Sequence, residues 1–251
     1  MSEDLEAALL KWLDTSGRAL ELRTMRTFRA REGIIKLQQS LPYEDPVTNK
    51  QREGDVLAAY HWASSERAVS FEFAIECKSG RANPWIAFYD REDKPTANHP
   101  VFWFVTTPGW SKADAIDLAK NWASSTAGGG PVASHAVSAL GKDTGPNYAH
   151  DAAQQALSFA RARAKGGTRY ASDPQEAKVL SAVLPIVVTQ APLYQCKMTD
   201  DAELELTRVE RFDLWIHLDG YNRRRVYICS ESALAEMADT VDGLLGWPPF
   251  A

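Results

Sequence analysis

The chain has 251 residues, of which 45% are hydrophobic and 24% charged, with a formal net charge of −5. That composition belongs to a globular protein with one large core or two small ones, and excludes disorder throughout. No apolar run approaches the length of a membrane-spanning helix. The opening Met1-Ser2-Glu3-Asp4-Leu5-Glu6 is acidic where a secretory signal would be basic, so a cytoplasmic protein without membrane contact is expected. The net charge excludes a uniform attraction to nucleic acid or anionic lipid, but not a local basic patch. Cys77, Cys196 and Cys229 form no CxxC pair, which argues against a disulfide scaffold and a structural zinc site.

In chain order, Leu5, Leu9, Leu10 and Leu13 recur at helical spacing after a candidate Ser2 cap, predicting a helix over 3–16 that Gly17 stops. Leu20, Leu22, Thr24, Thr27 and Phe28 suggest an interrupted strand over 18–30. Pro42, Asp45, Pro46 and Asn49 predict a loop over 38–52. Strands are expected over Gly54–Tyr60 and Val69–Lys78, joined as a hairpin across the polar Ala63–Arg67. In the second, Phe71, Phe73, Ile75 and Cys77 share one face, and Glu72, Ala74, Glu76 and Lys78 the other.

Trp85–Tyr89 and Val101–Val105 read as further strands, 111–123 as a helix, and the Gly- and Ser-rich 124–147 as a long loop. Ala152, Ala153, Ala156, Leu157 and Ala160 set the stripe of a helix over 148–165. Asp173-Pro174 marks another helix start. Val183–Thr189 reads as a buried strand. Leu204–Leu218 and Arg225–Cys229 read as strands paired across Asp219–Asn222, and Ser230 caps a last helix ending before Gly243. The whole is expected to be a single α/β domain over 1–251 with an insertion at about 81–147.

The chemistry concentrates in Gly54-Asp55 and Ile75-Glu76-Cys77-Lys78. In a hairpin, Asp55 approaches Glu76, and Glu76 and Lys78 share a face because side chains alternate. Two carboxylates at one point suit Mg²⁺, with Mn²⁺ able to substitute, and the Cys77 backbone carbonyl offers a further oxygen ligand. Such a metal neutralises a phosphodiester and acidifies a bound water, which a neighbouring lysine orients. The Cys77 side chain points into the core. The competing reading makes Asp55 a strand-end cap and Glu76–Lys78 a solvated pair on a sheet face.

These residues resemble the PD-(D/E)xK, or restriction-endonuclease-like, nuclease superfamily. The stretches that carry the resemblance are Arg52-Glu53-Gly54-Asp55-Val56-Leu57-Ala58 and Phe73-Ala74-Ile75-Glu76-Cys77-Lys78-Ser79, within about residues 1–80. In form they look like the branch of type IV restriction-like enzymes and Holliday-junction resolvases. The resemblance implies a core of helix, three strands, helix and strand in a mixed sheet, followed here by extra C-terminal strands and a helix. It implies a Mg²⁺-dependent endodeoxyribonuclease with Asp55, Glu76 and Lys78 as catalytic residues, in phage defence or DNA repair, and allows a homodimer or a partner protein that delivers DNA. It further implies an acid from the first helix, for which Glu6 is placed, and a glutamine on the later helix, for which Gln154 or Gln155 is placed. Arg52 and Glu53 are candidates for supporting the site. Two departures stand out: about 70 residues separate Lys78 from the glutamine helix, and Gly54 replaces the motif's proline. The alternative function is a catalytically silent interaction module built on the same fold.

Weaker signals remain. Arg161, Arg163, Lys165 and Arg169 end one helix, and Arg223, Arg224 and Arg225 lie in an expected turn. Both sets could meet phosphates; otherwise the first complements a helix C-terminus and the second is solvated. Trp85, Phe88, Tyr89, Phe102, Trp103 and Trp110 pack an insertion or stack on unpaired bases. The five histidines share no ligand spacing, and no phosphate-cradling GxxxxGK[ST] occurs.

Overall fold

A computed structural model describes residues 3–31, 34–63, 67–80, 82–89, 103–106, 113, 116, 117, 120, 131–141, 147–170, 178–217 and 223–245. It shows an α/β protein with a mixed sheet. Helix α1 spans Glu3–Thr15 and α2 spans Arg18–Arg29. Gly17 separates them at φ 84°, a left-handed conformation that glycine adopts without strain. The strand expected over 18–30 is therefore a helix. Leu20, Glu21, Thr24 and Phe28 are buried along one side of it, a helical period that the threonines disguise. The leucines of α1 do lie on a helix, but Leu5, Leu9, Leu10, Trp12 and Leu13 remain exposed.

Strands β1 (Ile34–Glu44) and β2 (Gln51–Ala63) form an antiparallel hairpin, so the loop expected over 38–52 shrinks to a turn at 45–50. Asp45 Oδ1 accepts from the Val47 and Thr48 N–H groups at 2.9 and 3.2 Å, which folds that turn. Pro42 is tolerated because β1 is an edge strand. Strand β3 (Arg67–Lys78) pairs antiparallel with β2 from Val56↔Ile75 to Ala63↔Ala68, as the hairpin reading expects.

Then come β4 (Trp85–Tyr89), β5 (Trp103–Thr106), β6 (Val132–Ala133), β7 (His135–Ser138) and helix α3 (Tyr148–Tyr170). Part of the loop expected over 124–147 is thus β6 and β7. Of 111–123, only Ala113, Ile116, Asp117 and Lys120 are described, and they are helical. Strand β8 (Lys178–Thr189) begins earlier than expected; the helix start at Asp173-Pro174 lies outside the described residues. Strands β9 (Leu193–Met198), β10 (Leu204–Val209), β11 (Arg211–His217) and β12 (Arg223–Cys229) follow, so the single strand expected over 204–218 is two, broken at Glu210. Helix α4 (Glu231–Leu245) runs through Gly243, and Ser230 caps it: its hydroxyl accepts from the Ala233 N–H at 3.3 Å.

The larger sheet is ordered β1-β2-β3-β8-β12-β11-β6, with β5 against the start of β8. Strand β8 runs parallel to β3 over twelve residue pairs, Arg67↔Lys178 to Lys78↔Thr189. A smaller sheet is ordered β10-β9-β4-β7. One face of the larger sheet packs Phe71, Phe73, Ile75 and Cys77 against Leu20 and Phe28 of α2 and Leu234, Met237 and Val241 of α4. Its other face is covered by α3 and the smaller sheet, with Ala152, Ala153, Ala156 and Leu157 in that core. The alternation read from β3 thus separates the two cores. Among the described residues, no helix is long and apolar enough to cross a membrane.

Candidate active site

Asp55 lies on β2, and Glu76 and Lys78 lie on β3, where the two strands part after Val56↔Ile75. Beyond that point the Cys77 N–H has no ladder partner on β2 and donates instead to Asp55 Oδ2 at 2.7 Å. The N–H and C=O of one strand residue face the same neighbour, so the Cys77 carbonyl also faces the β2 side, toward Asp55. The next carbonyl, of Lys78, faces β8 and accepts from the Gln190 N–H at 3.0 Å and the Thr189 hydroxyl at 3.2 Å.

Lys78 Nζ donates to Glu76 Oε1 at 2.6 Å and to Gln155 Oε1 of α3 at 2.9 Å. Of the two glutamines expected on this helix, Gln155 reaches the lysine, whereas Gln154 is exposed. Helix α3 can sit this close because β2 carries no side chain at Gly54. A Cβ there would stand 2.5 Å from two atoms of the Phe159 ring, which itself stacks on Tyr43 at 5.1 Å between centroids. The glycine at position 54 thus has a steric reason.

These groups open on a cavity of about 400 Å³ lined by Glu21, Asp55, Glu76, Cys77 and Lys78 among others. Burial, and then the negative charge of Glu76, push Asp55 up to about 7. Burial also raises Glu76, against the pull of Lys78. Glu21 adds negative potential to both. Buried 6% exposed on α2, Glu21 is held by Arg18 at 2.9 Å and Gln39 at 2.7 Å. The helix-borne acid beside the pair is therefore Glu21, and Glu6 lies exposed on α1 outside the cavity lining. A helical period applied to 18–30 would have found it, since Glu21 is the charged residue in the stripe of Leu20, Thr24 and Phe28.

Among the described residues, no group of three or more His, Cys, Asp or Glu side chains stands close enough to hold a metal together. Asp55 Oδ1 and Glu76 Oε2 accept no hydrogen bond from the described residues. With the Cys77 carbonyl they form a set of hard oxygen donors in a negative, partly enclosed site. That fits a cation such as Mg²⁺, which needs only one or two carboxylates and keeps several waters.

The other candidates are dispersed. Arg52 Nε pairs with Asp45 Oδ2 at 2.7 Å at the β1–β2 turn, and Glu53 stands 3.6 Å from Arg18. Arg163 is committed to Glu72 of β3 through two hydrogen bonds, at 2.9 and 3.2 Å. Arg223, Arg224 and Arg225 belong to β12 rather than to a turn, and Arg225 is buried against Asp213 of β11. Arg224 is lowered by burial and by the nearby charge of Arg161. Lys165 is exposed on α3, which also carries Arg169, whose side chain is outside the described ones. Trp85 packs in the core beneath the smaller sheet.

No protein-family model, curated protein or solved structure matches this chain.

Proposed function

We propose that this chain is a Mg²⁺-dependent nuclease of the restriction-endonuclease-like class that hydrolyses DNA phosphodiester bonds. The observation that carries the reading is the meeting of Asp55, Glu76 and Lys78 at one cavity, with Gln155 bonded to the lysine. The order α2, β1–β2–β3, α3, β8 supports it, with β8 parallel to β3. A bound Mg²⁺, or Mn²⁺ in its place, supplies charge neutralisation at the scissile phosphate and a more acidic water. Asp55 and Glu76, with the Cys77 carbonyl, hold the cation, and Glu21 deepens the negative potential around it.

Lys78 spends two of its three N–H donors on Glu76 and Gln155, which aim the third at an attacking water or a phosphate oxygen. A function in phage defence or DNA repair follows from the same resemblance. The test is cleavage of supercoiled plasmid and single-stranded DNA with Mg²⁺ or Mn²⁺. Cutting abolished by chelator, by Asp55→Ala and by Lys78→Ala is the expected result. Absence of cutting, together with melting that ignores Mg²⁺, would put a silent interaction module in its place.

A further inference from the structure

A second cavity, of about 330 Å³, lies beside the first, walled by the β1–β2 turn, α3 and the end of β11. Its polar side chains include Arg52, Asp151, Gln154, Gln155 and His217. Gln155 joins the two cavities, since it lines this one and accepts from Lys78 of the other. The charges communicate as well: Arg52 lowers Glu76, while Glu76, Asp45 and Asp55 all help burial to raise the Tyr43 hydroxyl.

We propose that the second cavity is a substrate subsite in which Arg52, Gln154 and His217 hold a backbone phosphate flanking the scissile one on the same strand. This rests on the nuclease reading above. Arg52 is prepared for the role. Asp45, pinned by the Val47 and Thr48 N–H groups, fixes the guanidinium through Nε, and the terminal nitrogens have no partner among the described residues. A guanidinium with a fixed plane and open terminal N–H groups suits a phosphate better than a mobile ammonium does. Gln154 and His217 are exposed, and their side chains have no hydrogen-bond partner among the described residues, so they are ready donors. Asp151 carries the same sign as a phosphate, so the phosphate seats on the Arg52 side of the cavity, away from that carboxylate.

The test is cleavage kinetics on an oligonucleotide cut at one position, with a neutral methylphosphonate placed at each phosphate flanking the cut in turn. Arg52→Ala is expected to raise KM about tenfold, and Gln154→Ala and His217→Ala several-fold, with kcat falling less than about twofold. Gln154→Ala and His217→Ala are exposed changes that should keep the wild-type melting temperature. One methylphosphonate should raise the wild-type KM by a similar factor and have no further effect on Arg52→Ala; a site for free phosphate would ignore that substitution. Unchanged KM for Gln154→Ala and His217→Ala, or a methylphosphonate effect that adds to Arg52→Ala at every position, overturns the subsite while cutting stands. A wild-type protein that cuts nothing overturns the subsite together with the nuclease reading.

Discussion

Two pairs of buried charges sit in the same large sheet, and they are opposites. Asp213 of β11 and Arg225 of β12 are 4% exposed each and close on one another inside the protein. Burial lifts Asp213 to about 6, and the guanidinium keeps it from rising further. Asp55 and Glu76 are like charges on adjoining strands that share an open cavity, where Lys78 pairs with Glu76 and the Cys77 N–H with Asp55. A paired buried charge holds strands in place, whereas two acids that share a cavity with Lys78 leave negative charge that a further cation can answer.

The largest effect expected from breaking this comparison is on the paired side. Asp213→Ala removes the buried carboxylate that balances the Arg225 guanidinium and should cost about 3–5 kcal/mol of stability, read as a shifted urea midpoint. A loss under 1 kcal/mol would mean that the pair contributes little. On the other side, Lys78→Ala should shift the urea midpoint less than Asp213→Ala does, because Lys78 and its partner Glu76 open on a cavity, while cleavage falls by about 10²–10³. Equal cleavage by variant and wild type would remove Lys78 from the chemistry.

Next in size is Gly54→Ala, whose methyl must displace the Phe159 ring. A cost of about 1–3 kcal/mol is expected. Cleavage should fall as well, because α3 carries Gln155 away from Lys78. A normal midpoint with normal activity would show that the ring moves freely.

The pH dependence sharpens the contrast further. Without a cation, Asp55 keeps its proton up to about 7 in the folded chain, but loses it near about 3.9 when unfolded. Between those values the folded state binds more protons, so this group makes stability fall as pH rises through 7. Asp55→Asn should therefore flatten the decline of the melting temperature from about pH 5 to 8 in chelator. It should also melt higher than wild type at the alkaline end. Parallel curves would contradict the raised proton affinity. The smallest expected change separates the two helix acids: Glu21→Gln should weaken the rise in melting temperature that Mg²⁺ produces, and Glu6→Gln should not. An equal response in both variants would leave Glu21 without a part in the site.

The site was more legible in the sequence than the fold around it, for a physical reason. Asp55, Glu76 and Lys78 sit on strands whose alternation is strict, so period two alone assigns their faces. Gln155 was half legible: α3 announces itself through its alanines, but which glutamine turns inward depends on how closely Gly54 lets the helix approach. Glu21 was missed because Thr24 and Thr27 made a helix look like a strand, and the real signal was a lone charge inside a helical stripe. Edge position explains β1, where Pro42 and Pro46 suggested a loop although an edge strand tolerates a proline. The short strands β6 and β7 carry too few residues for any period to register.

The twelve-pair parallel match of β3 to β8 also has a consequence in time. Lys78 is anchored through its carbonyl by Thr189 and Gln190, and through its ammonium by Gln155. Pairings this distant along the chain form late, after the closure entropy of the intervening loop has been met. A growing polypeptide still tethered to the ribosome short of Thr189 has the two acids and the lysine, but not the neighbours that hold them. Whatever this cluster does, it can begin only once about three quarters of the 251 residues have been made, and that delay is written into the order of the strands.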